Sequence, residues 1–97
     1  MTERTWRTVF GNRRHLYRGS WQLERDPWTN GSDTAWHLRG GGLQGPVNIG
    51  KTADGKYRVS KRQHPHLFAR VGGAFDSVQA CADAVIADFE RTHAQPS

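Results

Sequence analysis

Three features predict an α+β fold, an antiparallel sheet of about five strands with one C-terminal α-helix packed on one face. Over the first three quarters of the chain, apolar and polar residues alternate with a period of two, as in half-buried strands. Asp54-Gly55 separates two of these stretches, and Asp-Gly supplies the positive φ angles of a tight hairpin turn. From Asp76 onward the apolar spacing lengthens to that of a helix.

Taken in order, Thr5 to Phe10 sets Trp6, Thr8 and Phe10 on one side of a first strand. Tyr17 to Glu24 reads as one long strand, with Tyr17, Trp21 and Leu23 on one face and Arg18, Ser20, Gln22 and Glu24 on the other. Thr34 to Arg39 sets Trp36 and Leu38 against His37 and Arg39. Turn clusters lie between these segments, at Gly11 to Arg14 and Asp26 to Asp33. Gly40-Gly41-Gly42 is a flexible break, after which Val47 and Ile49 alternate with Asn48. The hairpin returns through Tyr57 to Lys61, with Tyr57 and Val59 toward the core and Lys56, Arg58 and Ser60 away from it. Gln63 to His66 reads as a loop and Leu67 to Val71 as a short strand. Val78, Cys81, Ala82, Val85 and Phe89 then make the stripe of an amphipathic helix. Asp76 is its expected N-cap, with Gln79 completing a capping box, and its end is expected near Thr92. Residues 1–93 form one small domain on this reading, and 94–97 a disordered tail.

A chain of 97 residues holds one modest core, and ten aromatic residues supply much of its buried area. No apolar run is long enough to span a membrane, and MTERTWRTVF has no signal-peptide stretch. The single cysteine, Cys81, excludes an internal disulfide, so the expected setting is the cytoplasm. The net charge of +5 is unevenly placed. Residues 1–74 carry 13 Lys/Arg against 5 Asp/Glu, while residues 75–97 carry 1 against 4. A basic body of this kind suits a polyanionic partner. Eleven of the 14 basic residues are Arg, a bias that a GC-rich genome also produces.

GPVNIGKT, residues 45–52, matches the phosphate-loop pattern through Gly45, Gly50, Lys51 and Thr52. Such a loop needs a buried strand before it and a helix after it. Here a glycine run precedes it and a hairpin turn follows, so Lys51 and Thr52 are expected to end a strand. His64-Pro65-His66, His37 and Cys81 lack the paired spacing of a zinc site, and Cys81 falls on the apolar helix stripe. No metal or cofactor is expected. Glu24 and Asp26 flank a turn, Asp83, Asp88 and Glu90 are expected on exposed helix positions, and neither Ser20 nor Ser60 has a nearby His. No catalytic constellation emerges, and a non-enzymatic protein is expected. Trp28 stands inside a polar turn, where it either staples the loop to the core or stays exposed as a partner contact.

The stretch GKYRV…GGAFDSVQACADAVIADF, within residues 55–90, resembles the DNA-binding domain of plant ethylene-response factors and the related arm domains of phage integrases. Gly73, Phe75 and Ser77 match the family's Gly-x-Phe-x-Thr turn, with Ser for Thr, and Cys81, Ala82 and Ala84 match its small helix positions. The resemblance implies a three-stranded sheet followed by one helix, with the sheet face away from the helix entering the major groove of duplex DNA. Arg58 and Lys56 fall on the corresponding face. Together the charge pattern and the resemblance lead to a nucleic-acid-binding module acting through Lys56, Arg58, Lys61, Arg62 and Arg18. The rival is a small protein-interaction, inhibitory or accessory factor of phage or actinobacterial origin, contacting a host protein through its aromatic loops at Trp28.

Overall fold

The computed structural model describes residues 6–8, 15–25, 35–43 and 45–94. Among these residues six strands form one antiparallel sheet: β1 (Arg7–Thr8), β2 (His15–Arg18), β3 (Trp21–Arg25), β4 (Ala35–Gly40), β5 (Val47–Lys51) and β6 (Tyr57–Val59). Their order in the sheet is their order in the chain, a meander in which each strand pairs with its sequence neighbour. Two helices follow, α1 (Pro65–Arg70) and α2 (Val78–Ala94).

The register sorts the side chains. Residues paired directly across antiparallel strands share a face, so Leu16, Leu23, Leu38 and Val47 form one cross-strand row. Trp36, Ile49 and Val59 form the next. Both rows are buried, and α2 covers them with Val78, Cys81, Ala82, Val85 and Ile86. The small residues Cys81 and Ala82 are wholly buried and let the helix approach the sheet closely. Phe89 meets the Trp21 ring edge-on at 5.5 Å, a favoured aromatic geometry. The fold is therefore α+β, with the long C-terminal helix on one face of an antiparallel sheet.

Several elements differ from the sequence reading. The single strand expected over Tyr17 to Glu24 is a hairpin, β2 and β3, turned at Gly19 and Ser20 with Gly19 at φ 59°. The turn inverts the parity of what precedes it. Leu16 and Arg18 face the helix, paired with Leu23 and Trp21, while Tyr17 faces away. Gly40 to Gly42 is no mere flexible break. Gly41 has φ 61°, and a Cβ there would run into the Trp21 indole, so the turn into β5 must pass over that ring without a side chain.

Leu67 to Val71 is not a strand. Pro65 begins α1 with a φ already suited to a helix. The one-turn spacing from Leu67 to Val71 lets both pack inward, and the Val71 N–H donates to the Leu67 carbonyl at 2.8 Å. At the start of α2 the cap is Ser77, whose Oγ accepts the Ala80 N–H at 3.1 Å, rather than Asp76. Phe75 is half-buried and pairs its backbone with Tyr57 at the sheet–helix junction. Helix α2 continues through Ala94. Residues 95–97, Thr5, Phe10, Asp26 and Trp28 lie outside the described residues.

Candidate nucleic-acid interface

The acidic residues of the C-terminal segment settle where the positive charge is spent. Asp76 accepts from Lys56 Nζ at 2.6 Å. That hydrogen bond raises the Lys56 pKa above its ordinary value and lowers that of Asp76. Asp83 accepts from Trp6 Nε1 at 2.8 Å and from Arg18 Nη1 at 3.2 Å. Asp88, only 4% exposed, takes Arg70 Nε at 3.1 and 3.2 Å and Arg91 Nη2 at 2.8 Å. Asp83 and Asp88 are thus not the solvated helix charges that spacing alone suggests. Arg18, 8% exposed and on the helix side of the sheet, does not stand on the open face. Lys56, tied to Asp76 beside the start of α2, is turned from it as well. Two of the five cations expected to bind together are therefore engaged elsewhere.

The other three converge. Arg58, Lys61 and Arg62 line a concave groove of about 630 Å³ at the β5–β6 end of the sheet, together with Lys51, Gly50 and Pro65. Among the described residues no carboxylate lines it. Arg58 and Lys61 both lie over the Phe68 ring, each 5.7 Å from its centroid. Lys51 borders the groove at the end of β5, but it pairs with the inward-facing Tyr57 and so lies on the helix side of the sheet, its ammonium 5.7 Å from the Tyr57 ring centroid. These distances are within cation–π range. Among the described residues, Arg58, Lys61 and Arg62 make no ion pair with a carboxylate. An open concavity that gathers Arg58, Lys61 and Arg62 without a carboxylate among the described residues attracts oxyanions.

The groove opens onto the sheet face away from α2. One cross-strand row there is Arg7, Tyr17, Gln22 and Arg39. The next is His15, Glu24, His37 and Asn48, and the third Ala35, Gly50 and Arg58. Within these rows Glu24 is the one carboxylate, and its Oε2 lies 3.9 Å from His15 Nε2. His15 also stacks on Tyr17 with centroids 4.6 Å apart and hydrogen-bonds Gln22 at 3.1 Å. The face is polar and rich in hydrogen-bonding groups.

The GPVNIGKT match is absorbed by the sheet, as its flanks predict. Val47 to Lys51 is β5, paired on both sides, so its amides are committed to the ladder rather than gathered round an anion. The Thr52 hydroxyl is held inside the hairpin turn by Asp54 and by the Lys56 N–H. The hydrogen bond from Thr52 holds the Asp54 carboxyl below its ordinary pKa. His64 is structural. Its Nε2 accepts the Asn48 N–H at 3.1 Å, filling the ladder position that the short β6 leaves open. Partial burial lowers its pKa. Cys81 is buried against the sheet, and desolvation pushes its thiol up to about 12. Among the described residues no three of His, Cys, Asp and Glu gather as a ligand set, and no helix is long and apolar enough to cross a membrane.

Lys51 ends β5 as the sequence reading expects, whereas Phe68, read as part of a strand, stands on α1. The clustering of Lys56 to Arg62 was the available signal for the groove. No protein-family model matches the chain, and neither a curated protein nor a solved structure matches it.

Proposed function

We propose that this chain is a non-enzymatic nucleic-acid-binding module that seats phosphates in the groove of Arg58, Lys61 and Arg62 and lays its open sheet face along the adjoining bases. The observation that carries this is the partition of charge. Among the described residues Asp76, Asp83 and Asp88 are each paired with a Lys or Arg, while Arg58, Lys61 and Arg62 gather in the groove with no carboxylate. Duplex DNA is the favoured partner, because Tyr17, Gln22 and Arg39 stand in one cross-strand row of hydrogen-bonding side chains. That arrangement suits base edges in a major groove, as the resemblance to the ethylene-response-factor type of domain implies.

Fluorescence anisotropy with labelled duplex and single-stranded oligonucleotides at low salt tests it. If the three cations each contact a phosphate, affinity for duplex falls with a log–log salt slope of about −2.7. Replacing Arg58 and Arg62 together with Glu weakens binding to every sequence and flattens the slope. The fold is expected to survive, since neither side chain enters the core. Absence of binding by the parent, or unchanged affinity in the double variant, removes this reading and turns attention to a protein partner.

A further inference from the structure

The short helix α1 does more than connect the sheet to α2. It is held at three points. His64, just before it, accepts the Asn48 N–H of β5. Leu67 packs against the core cluster, and Arg70, its last residue, binds Asp88 of α2 through both carboxylate oxygens. Phe68 is therefore presented from a fixed platform. It is half-buried, and Arg58 from β6 and Lys61 from the following turn both lie 5.7 Å from its ring centroid. Two like charges drawn to one ring repel each other. The ring's negative face offsets part of that repulsion, and an anion shared between them would offset the rest. A long Arg and a long Lys would otherwise sample many rotamers. Resting on a common ring restricts them and lowers the entropy lost when a ligand is bound.

We infer that the groove is a phosphate site whose Arg58 and Lys61 are positioned by the Phe68 ring, the ligand being a phosphate ester or free phosphate. This rests in part on the nucleic-acid reading above, and it extends that reading to a residue carrying no charge and touching no phosphate. Phe68 is a positioning residue, and its signature differs from that of a binding cation. Replacing Phe68 with Leu keeps every charge of the groove, so the salt slope for duplex DNA stays the same while affinity falls by roughly three- to tenfold, the scale of an exposed to partly desolvated cation–π pair. Phe68→Tyr keeps the ring and restores the affinity. Circular dichroism melting of each variant establishes that α1 and the sheet remain folded.

The experiment has two arms, anisotropy with labelled duplex and a titration with inorganic phosphate followed by NMR at the Arg58 Nε–H and the Lys61 side chain. Weaker duplex binding at constant slope in folded Phe68→Leu, rescued by Tyr, supports the inference. Equal affinity of parent and Phe68→Leu overturns it while leaving the nucleic-acid reading intact. A parent that binds no nucleic acid removes that reading, and the phosphate arm then decides alone. Shifts at Arg58 and Lys61 that weaken in Phe68→Leu uphold the site. No shifts in the parent, or identical shifts in both proteins, sink it.

Discussion

His64 shows how one side chain serves the backbone. Because its Nε2 accepts the Asn48 N–H, it can do so only while that nitrogen is unprotonated. Burial acts in the same direction, lowering the pKa below its ordinary value near 6.5. The unfolded chain therefore takes up a proton at this site more readily than the folded one. Stability from His64 is fully present above about pH 6.5 and is lost as pH falls through the depressed folded value. The expected loss is that of one hydrogen bond, about 0.5–1.5 kcal/mol. Urea denaturation of the parent and His64→Gln at pH 7.5 and pH 5 checks this. The parent should lose more stability on acidification than the variant, and equal losses would remove His64 as the cause. In the sequence His64 offered only an H-P-H fragment suggestive of a solvated loop. Its partner stands 16 residues away on another strand, beyond the reach of local pattern.

At the scale of elements, strands were legible where alternation and turn chemistry agreed. Trp36 with Leu38, Val47 with Ile49 and Tyr57 with Val59 all point inward as their period predicts, and Asp54-Gly55 makes the turn. The two elements misread are those for which short pattern is ambiguous. The alternation from Tyr17 to Glu24 conceals a hairpin because Tyr17, an aromatic on the open face, matches Trp21 and Leu23 in sequence parity, although the Gly19-Ser20 turn inverts that parity in space. The five residues Leu67 to Val71 have no clear period, and α1 is fixed by tertiary contacts rather than by propensity. Asp88 is the chief of these, since it ties Arg70 of α1 and Arg91 of α2 to one buried carboxylate. Asp88→Ala is expected to cost about 1.5–3 kcal/mol, the range for hydrogen bonds to a charged group. The cost should fall unevenly: amide exchange of Phe68 and Val71 should quicken well before that of Leu23 and Leu38 in the sheet. Uniform acceleration across both would mean that α1 has no separate dependence on this contact.

Across the whole molecule, the unequal charge of the two ends was visible in the sequence, but its meaning was not. A count of +8 against −3 suggests a molecule attractive on one side and repellent on the other. Instead Asp76, Asp83 and Asp88 each pair with a neighbouring cation, and among the described residues Arg58, Lys61 and Arg62 gather around one concavity without a carboxylate. Such pairing is a matter of three-dimensional neighbours, with Arg18 and Asp83 lying 65 residues apart. The same arrangement decides what the GPVNIGKT match means for nucleotides. In a phosphate loop, Mg²⁺ completes the site and strengthens binding of the triphosphate. Here β5 commits the amides and the hairpin turn holds Thr52, so only the cations of the open groove face a polyphosphate. ATP is therefore expected to bind weakly, through charge alone. Mg²⁺ should weaken that binding further, since it neutralises the phosphates that the groove attracts. Salt should abolish it. Lys51→Ala should reduce ATP affinity no more than Arg58→Ala does, because neither residue has a privileged place. Isothermal titration with ATP, with and without Mg²⁺ and at low and high salt, distinguishes the two cases. Affinity that rises with Mg²⁺ and vanishes only in Lys51→Ala would restore the phosphate-loop interpretation and would require Val47 to Lys51 to leave the sheet.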